Sequence, residues 1–202
     1  MKYTSILLIL FLLVLTWSGI QPKETFTWLL EIFPAIIGAI VLIATRNSFP
    51  FTPLVYTCIC IHACILCVGG HYTYAEVPAF DWLKEMLHQS RNNYDKVGHF
   101  AQGFVPALII RELFIRKEVV FNKGWLNFIV VCICMAISAA YELLEWFVSL
   151  FSGEAGDAFL GTQGYVWDTQ SDMLYATIGA ITALILLSSV QNKQIKQLQD
   201  QK

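Results

Sequence analysis

The apolar residues of this chain come in long blocks rather than in stripes. Runs of about 17–25 apolar residues are what the hydrocarbon core of a bilayer demands of a helix. A soluble core shows amphipathic periodicity instead. The blocks predict an all-α fold, a polytopic transmembrane bundle of about six spans in a single integral membrane domain covering residues 1–202. Composition agrees: 56% of residues are hydrophobic and only 14% charged, against about 25% charged in soluble domains. Mean hydropathy is +0.58.

The predicted spans run over about Tyr3–Ile20, Phe26–Thr45, Thr52–Gly70, Asp95–Ile115, Trp125–Phe151 and Asp168–Val190. The first resembles a signal peptide in its Lys2 start and apolar core. Trp17 follows that core without a small-x-small cleavage site, so the segment reads as a retained span. Between the third and fourth spans, Pro78–His88 reads as a short interfacial helix. The tail from Gln191 is polar and reads as helical or frayed.

Charge placement sets the expected orientation. With both termini on the cytoplasmic side of a bacterial inner membrane, inner segments carry Lys2, Arg46, Arg111, Arg116, Lys117, Lys123, Lys193, Lys196 and Lys202. Outer segments carry only Lys23, Lys84, Arg91 and Lys96. Nine against four follows the positive-inside rule. The net charge of −2 offers no basic patch to a nucleic acid, so the expected partner is the lipid bilayer.

Three spans carry polar residues in one rhythm. The fourth has Asp95, His99, Gln102 and Pro106, the fifth Ser138, Glu142, Glu145 and Ser149, the sixth Asp168, Asp172, Tyr175 and Gly179. Spacings of 4, 3 and 4 put each set on one helix face. In the inferred orientation the acids and His99 all fall in the outer half of the membrane, with His71 at the same level. Lys96 is next to Asp95 but points about 100° away from it around the helix.

Several carboxylates in a low-dielectric site need protonation, pairing or a bound cation. The expected site is an outward-facing acidic and histidine pocket with His99, Glu142, Glu145 and Asp172 as ligands of a divalent cation. Asp168 is the candidate general base for metal-assisted chemistry on an envelope lipid. Asp95, His71, Gln102, Tyr141 and Tyr175 complete the pocket. Two rival readings share the pattern: an ion- or proton-coupled transporter, and a structural or partner-binding membrane protein.

Other marked residues have plainer readings. The six cysteines read as small buried hydrophobes, with a soft-metal face of Cys60, Cys64 and Cys67 as the sharper alternative. His62 reads as a hydrogen-bonded core histidine, Arg111 as snorkelling to the interface and Glu112 as paired locally. Ser138 reads as a small residue packed between helices. The Gly-rich segment Ser152–Trp167 reads as a tight connection above the acidic cluster, with a lid as the alternative.

Three blocks carry a resemblance. Tyr94-Asp95-Lys96-Val97-Gly98-His99-Phe100, Tyr141-Glu142-Leu143-Leu144-Glu145-Trp146 and Gly161 through Met173 resemble the bacterial inner-membrane YjdF family over nearly the whole chain. That resemblance implies an inner-membrane location and no particular chemistry. The order Asp-Lys-x-x-His, Glu-x-x-Glu, Asp-x-x-x-Asp also looks like VanZ-like membrane proteins, some linked to glycopeptide resistance. The matching positions are Asp95, Lys96 and His99, then Glu142 and Glu145, then Asp168 and Asp172. The VanZ-like second block usually reads Asp-Glu-x-x-Gln, so Glu145 departs from it.

Overall fold

The computed structural model describes residues 3–152, 159 and 161–200. Among these, all regular structure is helical: α1 Tyr3–Ser18, α2 Thr25–Thr45, α3 Pro53–Tyr72, α4 Pro78–Met86, α5 Tyr94–Arg116, α6 Lys123–Ser152 and α7 Asp168–Asp200. Four of them, α2, α3, α6 and α7, are long and apolar enough to cross a bilayer by themselves. Helix α1 is apolar but has 16 residues. Helix α5 carries its charges inward, with Lys96, His99, Arg111 and Glu112 all buried. The chain is a polytopic helical membrane protein, and α4 is the short helix expected outside the spans.

The surface follows bilayer logic. Leu13, Phe33, Ile40, Phe128, Leu143, Phe147, Ile185 and Leu186 stand exposed along the long helices. The polar side chains turn inward, because hydrocarbon offers them no partner.

Local sequence sets the helix ends. Glu24 caps α2 by accepting from the Phe26 and Thr27 backbone amides. Thr52 caps α3, with Pro53 in its first turn. Helix α3 stops at Thr73, whose left-handed φ of 57° turns the chain.

Helices α5 and α7 form the most intimate pair. Glycine makes this possible. A Cβ at Gly103 would overlap the Ala176 carbonyl, and one at Gly179 would overlap the Phe100 carbonyl. Small residues let membrane helices approach this closely. The apolar layer below the site joins Val55 on α3, Leu108 on α5, Val130 and Cys134 on α6, and Ala180, Ala183 and Leu184 on α7.

A polar network lies at the opposite end from Asp95. Glu112, fully buried, accepts from the Thr52 amide at 2.9 Å, the Thr52 hydroxyl at 2.7 Å and Arg116 at 2.8 Å. Arg111 donates to Gln191 at 2.8 Å and Asn192 at 2.7 Å, and Gln191 donates to the Leu108 carbonyl at 2.7 Å. Arg111 therefore does not snorkel. It is buried because α7 runs on past the expected end of its span and presents amide side chains to it. For the same reason the tail is not frayed: Gln191 and Ile195 are buried, and Gln194 accepts from the Leu54 amide at 2.9 Å. Glu112 pairs locally, as expected, with Arg116 one turn on.

Candidate functional site

The acidic residues of α5, α6 and α7 converge at the end of the bundle where α5 and α7 begin. Asp95 and His99 are one turn apart on α5, so both face the interior. His99 Nε2 lies 3.2 Å from Asp95 Oδ1 and 3.8 Å from Asp172 Oδ1. Ligand atoms of Asp95, His99 and Asp172 fall within 4.8 Å of one another, the one such metal-competent group among the described residues. His99 Nδ1 points elsewhere, to Gln102 Oε1 at 3.0 Å and Glu142 Oε1 at 3.7 Å. Glu142 Oε1 is buried and has no hydrogen-bond partner.

Lys96 is part of this cluster. Its ammonium lies 2.6 Å from Asp172 Oδ1, 2.7 Å from Asp168 Oδ1 and 3.3 Å from Asp95 Oδ2. The helical wheel does direct its Cα–Cβ bond away from Asp95. That direction faces α7, and the four-carbon stem is long enough to reach the carboxylates of both helices. Arg91, in the turn before α5, donates to Asp168 at 2.5 Å and to Asp95 at 3.5 Å. Asp168, the candidate base, thus has its Oδ1 engaged by two cations. Both cations lie beside the Tyr165 ring, Arg91 at 5.5 Å and Lys96 at 5.8 Å.

Glu145 is buried one turn from Glu142. Tyr141 extends the cluster across to α2, where its hydroxyl meets Glu31 at 3.4 Å. Glu31 is itself 5% exposed. Tyr175 is half-exposed and lines a recess of about 370 Å³ over Arg91 and Lys96, together with Tyr165 and Ser171. His71 stands apart: its Nδ1 bonds the Ser18 carbonyl at 2.9 Å and its ring stacks 4.7 Å from Trp17. It has the right depth but faces α1, because depth says nothing of azimuth.

Sequence reasoning passed over three members. Arg91 lies outside the span, and its signal was the i, i+4 spacing to Asp95. Lys96 was misread by direction alone. Glu31 was the lone carboxylate of its span, and its signal was depth, about 9 Å below Thr25 at 1.5 Å per residue. His62 departs from expectation as well, since its buried Nε2 has no hydrogen-bond partner in the protein. Ser138 is fully buried, as a small residue between helices should be. The six cysteines are free thiols.

Part of the Gly-rich connection, residues 153–158 and 160, lies outside the described residues. Its described end rests on the cluster. Gln163 and Asn92 exchange hydrogen bonds of 3.0 and 2.9 Å through amide and backbone, and the Gly161 carbonyl accepts from Arg91 at 3.4 Å. Gly161 and Gly164 both have positive φ, 59° and 80°, which glycine adopts without steric cost.

The model of the family described as "Predicted membrane protein (DUF2238)" matches residues 3–193. The chain belongs to that family. It is also 49% identical over 184 residues to a protein named "Inner membrane protein YjdF" from Escherichia coli (strain K12), covering 91% of this chain and 88% of the relative. No solved structure matches. The match runs from α1 into α7, so the residues of the cluster lie within the matched region.

Proposed function

We propose that this member of the family is an inner-membrane protein with both termini cytoplasmic, whose outward pocket holds a divalent cation for hydrolysis or group transfer on an envelope lipid. The observation that carries the reading is the convergence of Asp95, His99 and Asp172 ligand atoms within 4.8 Å. Two carboxylates and an imidazole suit Zn²⁺, Mn²⁺ or Fe²⁺.

The ring geometry supports it further. With Nε2 facing the two aspartates, Nδ1 is left for Gln102 and Glu142. Metal-binding histidines characteristically use their second nitrogen to donate to a carbonyl or carboxylate, which fixes ring and tautomer. Glu142, 3.7 Å from Nδ1, then orients the histidine from behind, with buried Glu145 one turn further on. Asp168, held by Arg91 and Lys96, keeps Lys96 between the aspartates and completes the wall. The chemistry a bound cation supplies is polarisation of an ester oxygen or activation of a water.

The pocket is one-sided. The apolar layer of Val55, Leu108, Val130 and Ala183 separates it from the Arg111–Glu112 network. This supports a site served from the outer face over a conduit.

A second reading is favoured by one observation: Lys96 meets all three aspartates, so the cluster serves as an ionic tie between α5 and α7. One experiment separates the two. Purified protein stripped with chelator is titrated with Zn²⁺, Mn²⁺ and Mg²⁺ while metal content and thermal stability are followed. The metal site requires stoichiometric uptake with a rise in Tm, both lost in His99→Gln and in Asp95→Asn. No uptake and an unchanged Tm leave only the tie. Orientation is tested separately, by labelling Gln89→Cys and Gln199→Cys in a cysteine-free background with a membrane-impermeant thiol reagent. Outer labelling of position 89 alone is required.

A further inference from the structure

Helices α1 and α2 both pack against α3 and scarcely against each other. Among the described residues, a side-chain hydrogen bond pins them together at their outer ends. Trp28 Nε1 on α2 donates to Ser18 Oγ on α1 at 3.1 Å, and Gly19 lets the indole approach to 3.0 Å of where a Cβ would stand. Phe11, Ile32, Ala35, Cys60, Ala63 and Cys67 close the wedge above. From there to the opposite end the two helices leave a cleft of about 870 Å³.

The walls of this cleft are apolar and its mouth is not. Leu7 and Phe11 from α1, Ala35 and Ala39 from α2, and Ile59 and Ala63 from α3 line the depth. Arg46, Asn47 and Tyr3 stand at the open end. Arg46 is exposed and has no ion-pair partner among the described residues. The floor from Pro53 to Ala63 rises about 15 Å at 1.5 Å per residue. That is half of a hydrocarbon core of about 30 Å, so the cleft has the depth of one leaflet. The small side chains of Ala35, Ala39 and Ala63 keep it open.

We infer that this cleft is a binding site for one anionic phospholipid of the inner leaflet, its acyl chains between α1 and α2 and its phosphate against Arg46. Shape and charge together select this occupant. A protein helix has no need of an unpaired guanidinium at exactly one end, whereas a lipid carries one anionic head on an apolar tail. Arg rather than Lys suits the task, because its planar fork meets phosphate oxygens in pairs. The leaflet follows from the proposed orientation, and the lipid chemistry does not depend on the cation site.

The test uses full-length protein in nanodiscs of mixed phosphatidylglycerol and phosphatidylethanolamine, released and weighed by native mass spectrometry. The wild type is expected to retain one lipid, with phosphatidylglycerol favoured about fivefold, the factor one basic residue near a surface gives. Arg46→Gln is expected to keep the lipid and lose the preference. Ala39→Trp, which fills the cleft, is expected to lose the lipid, and Ala63→Phe serves the same purpose should Ala39→Trp fail to fold. Soluble glycerol phosphate, added as a competitor, is expected not to displace the lipid. Retention unchanged in a folded cleft-filling variant, a preference that survives Arg46→Gln, or a second protein copy in place of the lipid each overturns the assignment.

Discussion

The ammonium of Lys96 lies 2.6 Å from Asp172 Oδ1, so one buried ion pair joins α5 to α7 where the two helices start. A buried charge deprived of its partner is costly, by about 3–5 kcal/mol. Lys96→Met is therefore expected to lower stability by about that much, and adding Asp172→Asn is expected to recover part of the loss. Thermal unfolding in detergent of the single and double variants checks the coupling. If a cation binds the cluster, Zn²⁺ restores the Tm of Lys96→Met more than that of the wild type.

The contact of Gly103 with the Ala176 carbonyl leaves no room for a methyl group. Gly103→Ala is expected to push α5 from α7 and cost about 1–3 kcal/mol, the usual range for overpacking. Because the same shift separates Asp95 and His99 from Asp172, uptake at the proposed cation site is expected to fall with it. Gly38, with open space where a Cβ would go, is the control: Gly38→Ala is expected to leave both measurements unchanged.

How far the chain could be read without coordinates depends on the kind of constraint. The helices were legible because hydrocarbon forces long apolar segments: α2, α3 and α6 follow their blocks within a few residues, and α7 starts where expected but runs on to Asp200. The level of the site was legible too, since helical rise converts residue number into depth. Azimuth was not. His71 has the expected depth and faces Trp17, while Glu31 on α2 faces Tyr141. Reach was the other gap: a helical wheel fixes the root of Lys96 and says nothing of where a flexible stem delivers its charge.

At the opposite end, Glu112 accepts three hydrogen bonds while fully buried. Thr52→Val removes a hydroxyl donor and is expected to destabilise by about 1–3 kcal/mol, the cost of an unsatisfied buried acceptor. Thr52→Ser keeps the donor and is expected to be near neutral. The two are compared by thermal unfolding, with a metal titration expected to be unaffected by either.

Outside the spans, Asp81 on α4 accepts from Asn92 at 3.0 Å and Lys84 at 3.2 Å. The Asn92 bond, with Lys84 adding to it, holds its carboxyl below the ordinary range. A depressed carboxylate contributes stability that is complete above its unfolded value of about 4 and is lost as pH falls through the folded value. The protection factor of the α4 amides is expected to fall on acidification below about pH 4, and Asp81→Ala is expected to lower it at neutral pH with a weaker acid response.

Helix α5 holds Asp95, Lys96, His99, Arg111, Glu112 and Arg116, and it is absent from the helices apolar enough to cross by themselves. Lys96 and Arg111 find their cross-helix partners on α7, which the ribosome makes after α5 and α6. While α6 is being synthesised, α5 has nowhere in lipid to rest. Its entry into the bilayer must therefore be deferred, or sheltered within the insertion machinery, until α7 emerges and the two go in as a pair. Truncating the chain before Asp168 is expected to leave it anchored by α2, α3 and α6 while a cysteine placed in the middle of α5 becomes reachable by a membrane-impermeant thiol reagent.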